Sequence, residues 1–200
     1  MPGFPSIGGG SSDRGDLFGE YDEFDPEYNP EPGWFLSGQN VLADDAHIEF
    51  HEVTKEIFDD RGVYDMTFGY NLARLNLDTR HAGAGYRYAE QADDPTVLRA
   101  EFTPTTEFCP QSDTLTKGSF RAWNDLSERH SYDLIRVRVD RMHHRASEIN
   151  AKLEELEKQY QESDSVTHVS DGGSDGPSRR TGCGTESGSE SRGPGPDAPF

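Results

Sequence analysis

Apolar positions recur at a helical period over residues 45–60, where Ile48, Val53 and Ile57, with Phe50 beside them, fall near one face of DAHIEFHEVTKEIFDD. Asp44 and Asp45 stand at its start and Gly62 at its end, acids first and glycine last as a helix prefers. YNLARLNLDTR sets Leu75 and Leu77 among polar residues and predicts a short helix running into a strand. GAGYRYAEQ and TVLRAEFTP both alternate, and Ala92-Asp93-Asp94-Pro95 between them is a turn signal, so a β-hairpin follows. Pro110 occupies a first helical position, ahead of a face made by Leu115, Phe120, Trp123 and Leu126 that runs to about Arg129. YDLIRVRV reads as a strand, and a last helix from His143 to Tyr160 carries Ile149, Leu153, Leu156 and Tyr160 on one stripe. The order helix, hairpin, helix, strand, helix predicts a small α+β fold: one mixed sheet with helices packed on one face.

The periodic region is flanked by two segments without a sustained period. Residues 1–40 mix Gly, Pro, Ser and acids, yet Phe18, Tyr21, Phe24, Tyr28, Trp34 and Phe35 stand among carboxylates. Such a segment docks on a partner groove, folds back on its own domain, or remains a disordered lead-in whose last aromatics, Trp34 and Phe35, cap the domain; composition favours the lead-in. Residues 161–200 hold only Val166 and Val169 as aliphatic residues larger than Ala, too few to offset ordering entropy, so a disordered tail is expected. The domain is therefore expected over 41–160, and 200 residues suit one such domain.

Charge changes the picture of the solvent more than that of the partner. Asp plus Glu number 38 against 19 Lys plus Arg, a formal charge of −19, with hydrophobic residues at 32%. The bases include only four lysines, Lys55, Lys117, Lys152 and Lys158. A carboxylate-rich, lysine-poor surface suits molar salt, where the Debye length falls to about 3 Å and like charges are screened. The same excess argues against a general nucleic-acid binder, which needs a cationic face. No apolar run approaches the roughly 20 residues that cross a bilayer, and no basic-then-apolar leader opens the chain. The expectation is a halophilic cytoplasmic protein with protein partners, no membrane role and an open oligomeric state.

Candidate chemistry centres on Cys109. In EFTPTTEFCPQSDTLTKGSF it follows a strand and precedes a helix, and backbone amides at a helix start favour an anionic sulfur. Such a thiolate ligates a soft metal, contacts an iron–sulfur cluster or acts as a nucleophile; the alternative is a small buried packing residue. His143 and His144 open the last helix about 100° apart, so the two do not bind one metal unaided. One of them joining Cys109 and another distant group would complete a site, while the other reading has them as surface and packing residues. His47 and His51 share a helix face at zinc-binding spacing, but no third ligand is evident. Arg136, Arg138, Arg141 and Arg145 form a cation cluster whose expected role is neutralising local acids. Cys183 lies in the tail, so the two cysteines make no disulfide framework and no metal knuckle. Phosphate-loop, serine-elbow and dinucleotide fingerprints are missing, so no catalytic residue is assigned.

NLARLNLDTR, the hairpin, LRAEFTPTTEFCPQSDTL and YDLIRVRV together resemble the iron–sulfur assembly domain of SufT- and PaaD-type proteins over roughly residues 45–140. Asn71, Leu72, Leu75 and Leu77 match its first segment; Thr103, Thr105, Cys109 and Pro110 match its T-x-T-x-x-x-C-P motif; Val137 and Val139 match its last strand. The family's acidic turn before the first segment is absent, Arg74 replaces an acid, Asn76 replaces a glycine, and His143-His144 stands where some members carry tryptophan. The chain as a whole also looks like a family from salt-loving archaea, which implies no activity. The first resemblance implies a non-enzymatic iron–sulfur assembly or targeting factor, with Cys109 touching a transient cluster. The alternative is a halophilic interaction or structural module without cluster chemistry.

Overall fold

The structure, a computed structural model, describes residues 17–163. The expectations for residues 1–16 and 164–200 lie outside the described residues. A short strand, β1 (Asn40–Val41), precedes the first helix, α1 (Asp44–Arg61), which turns Phe50, His51, Thr54, Ile57 and Phe58 inward. Gly62 ends α1 at φ 68°, a left-handed conformation open to glycine at little cost, and its amide returns to the last turn. Two further short strands, β2 (Tyr64–Asp65) and β3 (Tyr70–Asn71), pair antiparallel. In place of a helix running into a strand, residues 72–81 form two 3-10 turns, Leu72–Leu77 and Thr79–His81. Their starts are capped locally: Asn71 accepts from the Ala73 amide at 2.9 Å, and Asp78 from the Arg80 amide at 3.1 Å. Side-chain caps of this kind compete with regular helix and strand.

β4 (Gly85–Gln91) and β5 (Asp94–Thr103) form the expected hairpin, with Tyr86 opposite Phe102 and Tyr88 opposite Ala100. Helix α2 (Ser112–Asp125) crosses over to β6 (Leu134–Val139), which lies parallel to β5 with Leu98 opposite Ile135. The last helix is α3 (Ala146–Ser163). The strand order β1-β4-β5-β6 makes a mixed sheet, and the fold is α+β as the periodicity predicts. Both α2 and α3 start later than their spacing suggests, because Pro110-Gln111 and His143-Arg145 are taken up by turns.

The alternation of β4, β5 and β6 decides what lies on each face. Tyr86, Tyr88, Leu98, Phe102, Ile135 and Val137 face the helices and join Phe58, Phe120, Trp123, Ile149 and Leu153 in one core. Trp123 is fully buried, with its ring centroid 4.9 Å from that of Phe58 and 5.0 Å from that of Tyr86, and its indole N–H donates to Thr54 at 3.2 Å. The other face carries Arg87, Arg99, Glu101, Arg136 and Arg138. Arg136 and Arg138 both reach Glu157 of α3 at 3.0 Å, and Arg145 pairs with Glu148, so three of the four clustered arginines neutralise acids as expected.

Residues 17–39 depart from the expected unstructured lead-in. Phe35 and Leu36 are buried against Ala89, and Arg99 and Arg138 lie 5.0 and 5.2 Å from the Phe35 ring centre. Glu101 accepts the Gly33 and Phe35 amides at 2.8 and 3.2 Å. The segment docks because the charged sheet face supplies cations for its rings and a carboxylate for its amides.

Candidate functional site: the Cys109 loop

Between Thr103, the end of β5, and Ser112, the start of α2, the chain makes a tight loop that carries Cys109 as a half-buried free thiol. The Cys109 amide donates to Thr106 O at 3.3 Å, and the Ser112 amide donates to Cys109 O at 3.4 Å. Cys109 thus precedes the helix by a turn of Pro110 and Gln111, and does not occupy its first position.

His143 and His144 both reach this loop, through its backbone. His143 is buried, and its Nε2 lies 3.0 Å from Cys109 O. A carbonyl only accepts, so Nε2 carries the proton, and Nδ1 accepts the Arg145 amide at 3.2 Å. Nδ1 of His144 donates to Glu107 O at 2.7 Å, and its ring lies 5.0 Å from that of Phe108. Phe108 is 64% exposed beside the thiol, a large apolar side chain at the tip of a polar loop. The three residues singled out from the sequence are therefore gathered at one end of the sheet, with the imidazoles gripping carbonyl oxygens. Among the described residues no three His, Cys, Asp or Glu side chains form a group able to hold a metal ion.

A groove of about 560 Å³ adjoins the loop, lined by Trp34, Arg141, His143, His144, Asn150 and Glu154 among others. Arg141 lies 4.4 Å from the Trp34 ring centre. Sequence reasoning passed over Phe108 and the Trp34–Arg141 pair; an aromatic residue next to a motif cysteine is the local signal that points to the first.

His47 and His51 do share a face, with ring centroids 5.4 Å apart, but that face is turned into the protein. His51 donates from Nε2 to Ala73 O and accepts at Nδ1 from the Tyr88 hydroxyl, both at 2.9 Å, which occupies both ring nitrogens. His47 Nδ1 accepts from Arg87 at 3.1 Å. Burial pulls His51 down to about 4; burial, with His51 and Arg87 adding to it, pulls His47 down to about 2. The zinc-like spacing here builds a neutral, packed pair.

The fold and the loop define a small α+β domain that displays one cysteine at the end of a strand–helix–strand unit. Residues 16–167 match the model of the family described as Domain of unknown function (DUF7998), and the chain belongs to that family. No curated protein and no solved structure matches the chain.

Proposed function

We propose that this protein is a non-enzymatic iron–sulfur assembly or targeting factor that works through the Cys109 loop. The observation that carries the reading is a half-exposed thiol on a loop whose backbone is fixed by two histidines from the far end of β6. The T-x-T-x-x-x-C-P resemblance supports it, since Thr103 closes β5, Cys109 stands in the loop and β6 returns parallel. An iron–sulfur cluster ordinarily takes about four thiolates. Cys109 is the one cysteine among the described residues. A cluster touching it would complete its ligand set from a partner or a second copy, which suits delivery better than storage. Exposed Phe108 beside the thiol gives that partner an apolar contact.

A second reading, an interaction module without cluster chemistry, is favoured by one observation: the hydrogen bonds at Cys109 engage its backbone and leave the sulfur outside the network. Anaerobic reconstitution of the full chain with ferrous iron and sulfide, followed by visible absorption, separates the two. The cluster reading expects a chromophore that Cys109→Ser abolishes and Cys183→Ser retains. A chain that stays colourless, or whose colour survives Cys109→Ser, leaves the interaction module.

A further inference from the structure

A second groove, of about 480 Å³, opens between α1, the β2–β3 pair and residues 18–21. That volume lies within the range of small-molecule sites, about 300–1,000 Å³. Its outer wall is fixed in place: Gly19 N donates to Leu77 O at 2.8 Å, Thr79 N donates to Leu17 O at 3.0 Å, and Phe18 bridges to Asp78. Phe18, Tyr21, Tyr64 and Tyr70 line it, with Phe18 edge-on to Tyr70 at 5.7 Å.

Pairing off the polar groups of the lining leaves a specific remainder. Asp59 is engaged by Asn71 at 2.8 Å, by the Tyr64 hydroxyl at 2.9 Å and by Lys55 at 3.6 Å. The Tyr70 hydroxyl donates to Asp78 at 2.9 Å, a carboxylate also held by Arg80. Arg74 is exposed, its guanidinium 3.8 Å from the Phe18 ring centre, and it has no carboxylate at ion-pair distance among the described residues. Arg141 on Trp34 is likewise without a carboxylate partner among the described residues, but Arg74 is the arginine that lines this groove, against its aromatic wall. The Tyr21 hydroxyl has no hydrogen-bond partner among the described residues, and Glu20 is exposed in the lining without a cation. Burial, eased by Arg74, pushes Tyr21 up to about 12, so it stays a hydroxyl donor at neutral pH.

We propose that this groove binds a small anion carrying a planar ring, with Arg74 taking the anionic oxygens and the aromatic walls taking the ring. The guanidinium fork matches carboxylate or phosphate oxygens in two parallel hydrogen bonds, and stacking on Phe18 pre-orients it. Tyr21 adds a hydroxyl donor, and Tyr64 and Tyr70 offer ring faces and edges for offset packing. The site is independent of Cys109 and of the cluster reading. Two sources share this chemistry, a nucleoside monophosphate and an aromatic carboxylate.

Calorimetric titration of the full chain tests it with four probes: AMP, 1-naphthoate, adenosine and ribose 5-phosphate. Saturable binding of AMP names a nucleotide site, and of 1-naphthoate an aromatic-acid site. In either case adenosine, which lacks the anion, and ribose 5-phosphate, which lacks the ring, bind at least about tenfold more weakly. Arg74→Gln weakens the binding probe by about tenfold, Tyr21→Phe weakens it a few-fold, and Glu20→Gln leaves it unchanged or tightens it. Circular dichroism establishes that the variants are folded. The proposal is overturned if neither AMP nor 1-naphthoate saturates at millimolar concentration, or if adenosine or ribose 5-phosphate binds as tightly. It is also overturned if binding survives Arg74→Gln, and loss of that binding in Arg141→Gln would then place the ligand in the other groove.

Discussion

Asn124 holds Ile135 as a neighbouring strand would: its Nδ2 donates to the Ile135 carbonyl and its Oδ1 accepts the Ile135 amide, both at 2.9 Å. Asn150 does the same for Val139 at 2.9 and 2.8 Å, and Asn76 for Tyr86 at 2.7 and 2.8 Å. Between the first two, the Val137 carbonyl accepts from Arg138 at 2.8 Å. Side chains of α2, α3 and the strand itself thereby cover most of the outer edge of β6. An open edge would offer unpaired backbone groups to another chain.

Replacing Asn124 with alanine leaves the Ile135 amide and carbonyl without partners in a buried setting. Each orphaned group costs about 1–3 kcal/mol, so Asn124→Ala loses about 2–6 kcal/mol of unfolding free energy. Urea denaturation measures this. A loss under about 0.5 kcal/mol, the range of ordinary surface substitutions, would show that water satisfies the edge instead.

The buried histidines set an acid limit on stability. His51 titrates at about 4 and His47 at about 2 in the folded chain, against 6.5 when unfolded. Below 6.5 the unfolded chain binds more protons at these two sites, so their contribution is complete above 6.5 and falls as pH drops through the window. Glu101 acts in the opposite sense. Burial, aided by Asp140 and opposed by the amides of Phe35 and Gly33, pushes it from 4.5 up to about 7. From 4.5 to 7 the folded chain therefore holds the extra proton at Glu101, and its contribution falls as pH rises. Between 4.5 and 6.5 His47 and His51 oppose one carboxyl, a net slope of about 1.4 kcal/mol per pH unit in favour of higher pH, and His130, also lowered by burial, adds in the same sense. Unfolding free energy measured across that window should show it. Glu101→Gln should steepen the slope, and His51→Gln should flatten it; a wild-type profile falling toward pH 6.5 would contradict the balance.

The helices, the hairpin and β6 were legible because their apolar residues repeat at 3.6 or 2 and because each segment buries one side against a single core. Leu115, Phe120 and Trp123 announced α2, and Ile149 and Leu153 announced α3. The docking of residues 17–39 was not legible from its own composition. Its partners, Arg87, Arg99, Arg138 and Glu101, lie more than 50 residues away and form a surface only after β4, β5 and β6 are in register. The asparagine clasps were hidden for the same reason, since Asn76 and Asn124 look like ordinary polar positions until a strand edge is laid beside them. Cys109 stood out through its flanking strand and helix. The roles of His143 and His144 did not, because a ring nitrogen seeking a backbone carbonyl leaves no pattern in spacing.

Gly33 is the tightest point of the docked segment. A Cβ there would sit 2.6 Å from an Asp140 carboxylate oxygen and 2.7 Å from both Glu101 oxygens. Since Glu101 is buried in the sheet, it cannot move aside without breaking its bonds to the Gly33 and Phe35 amides. Gly33→Ala is expected to cost about 1–3 kcal/mol, in the range of overpacked cores. It should also shift the fluorescence of the adjacent Trp34 toward that of a solvent-exposed indole. Unchanged stability together with an unchanged Trp34 spectrum would mean that the segment shifts freely.

The last expectation concerns the grip on the cysteine loop. His143 is 3% exposed, donates to Cys109 O and accepts from the Arg145 amide, so it links the loop to the turn before α3. His144 makes its bond to Glu107 O in a solvent-exposed setting. Removing a buried bond costs more than removing an exposed one, because water replaces only the latter. His143→Ala should therefore lower global stability by about 1–3 kcal/mol and speed amide exchange across residues 104–112. Cys109 should also react faster with iodoacetamide, as its carbonyl loses one of two restraints. His144→Ala should resemble wild type in exchange and change the reaction only slightly. Peptide-resolved hydrogen exchange and mass spectrometry of the alkylated cysteine read both effects. If His143→Ala leaves loop exchange and the Cys109 rate at wild-type values, the loop is held by the Thr106–Cys109–Ser112 backbone bonds and the bonds of His144 to Glu107 O, and His143 is packing rather than a clamp.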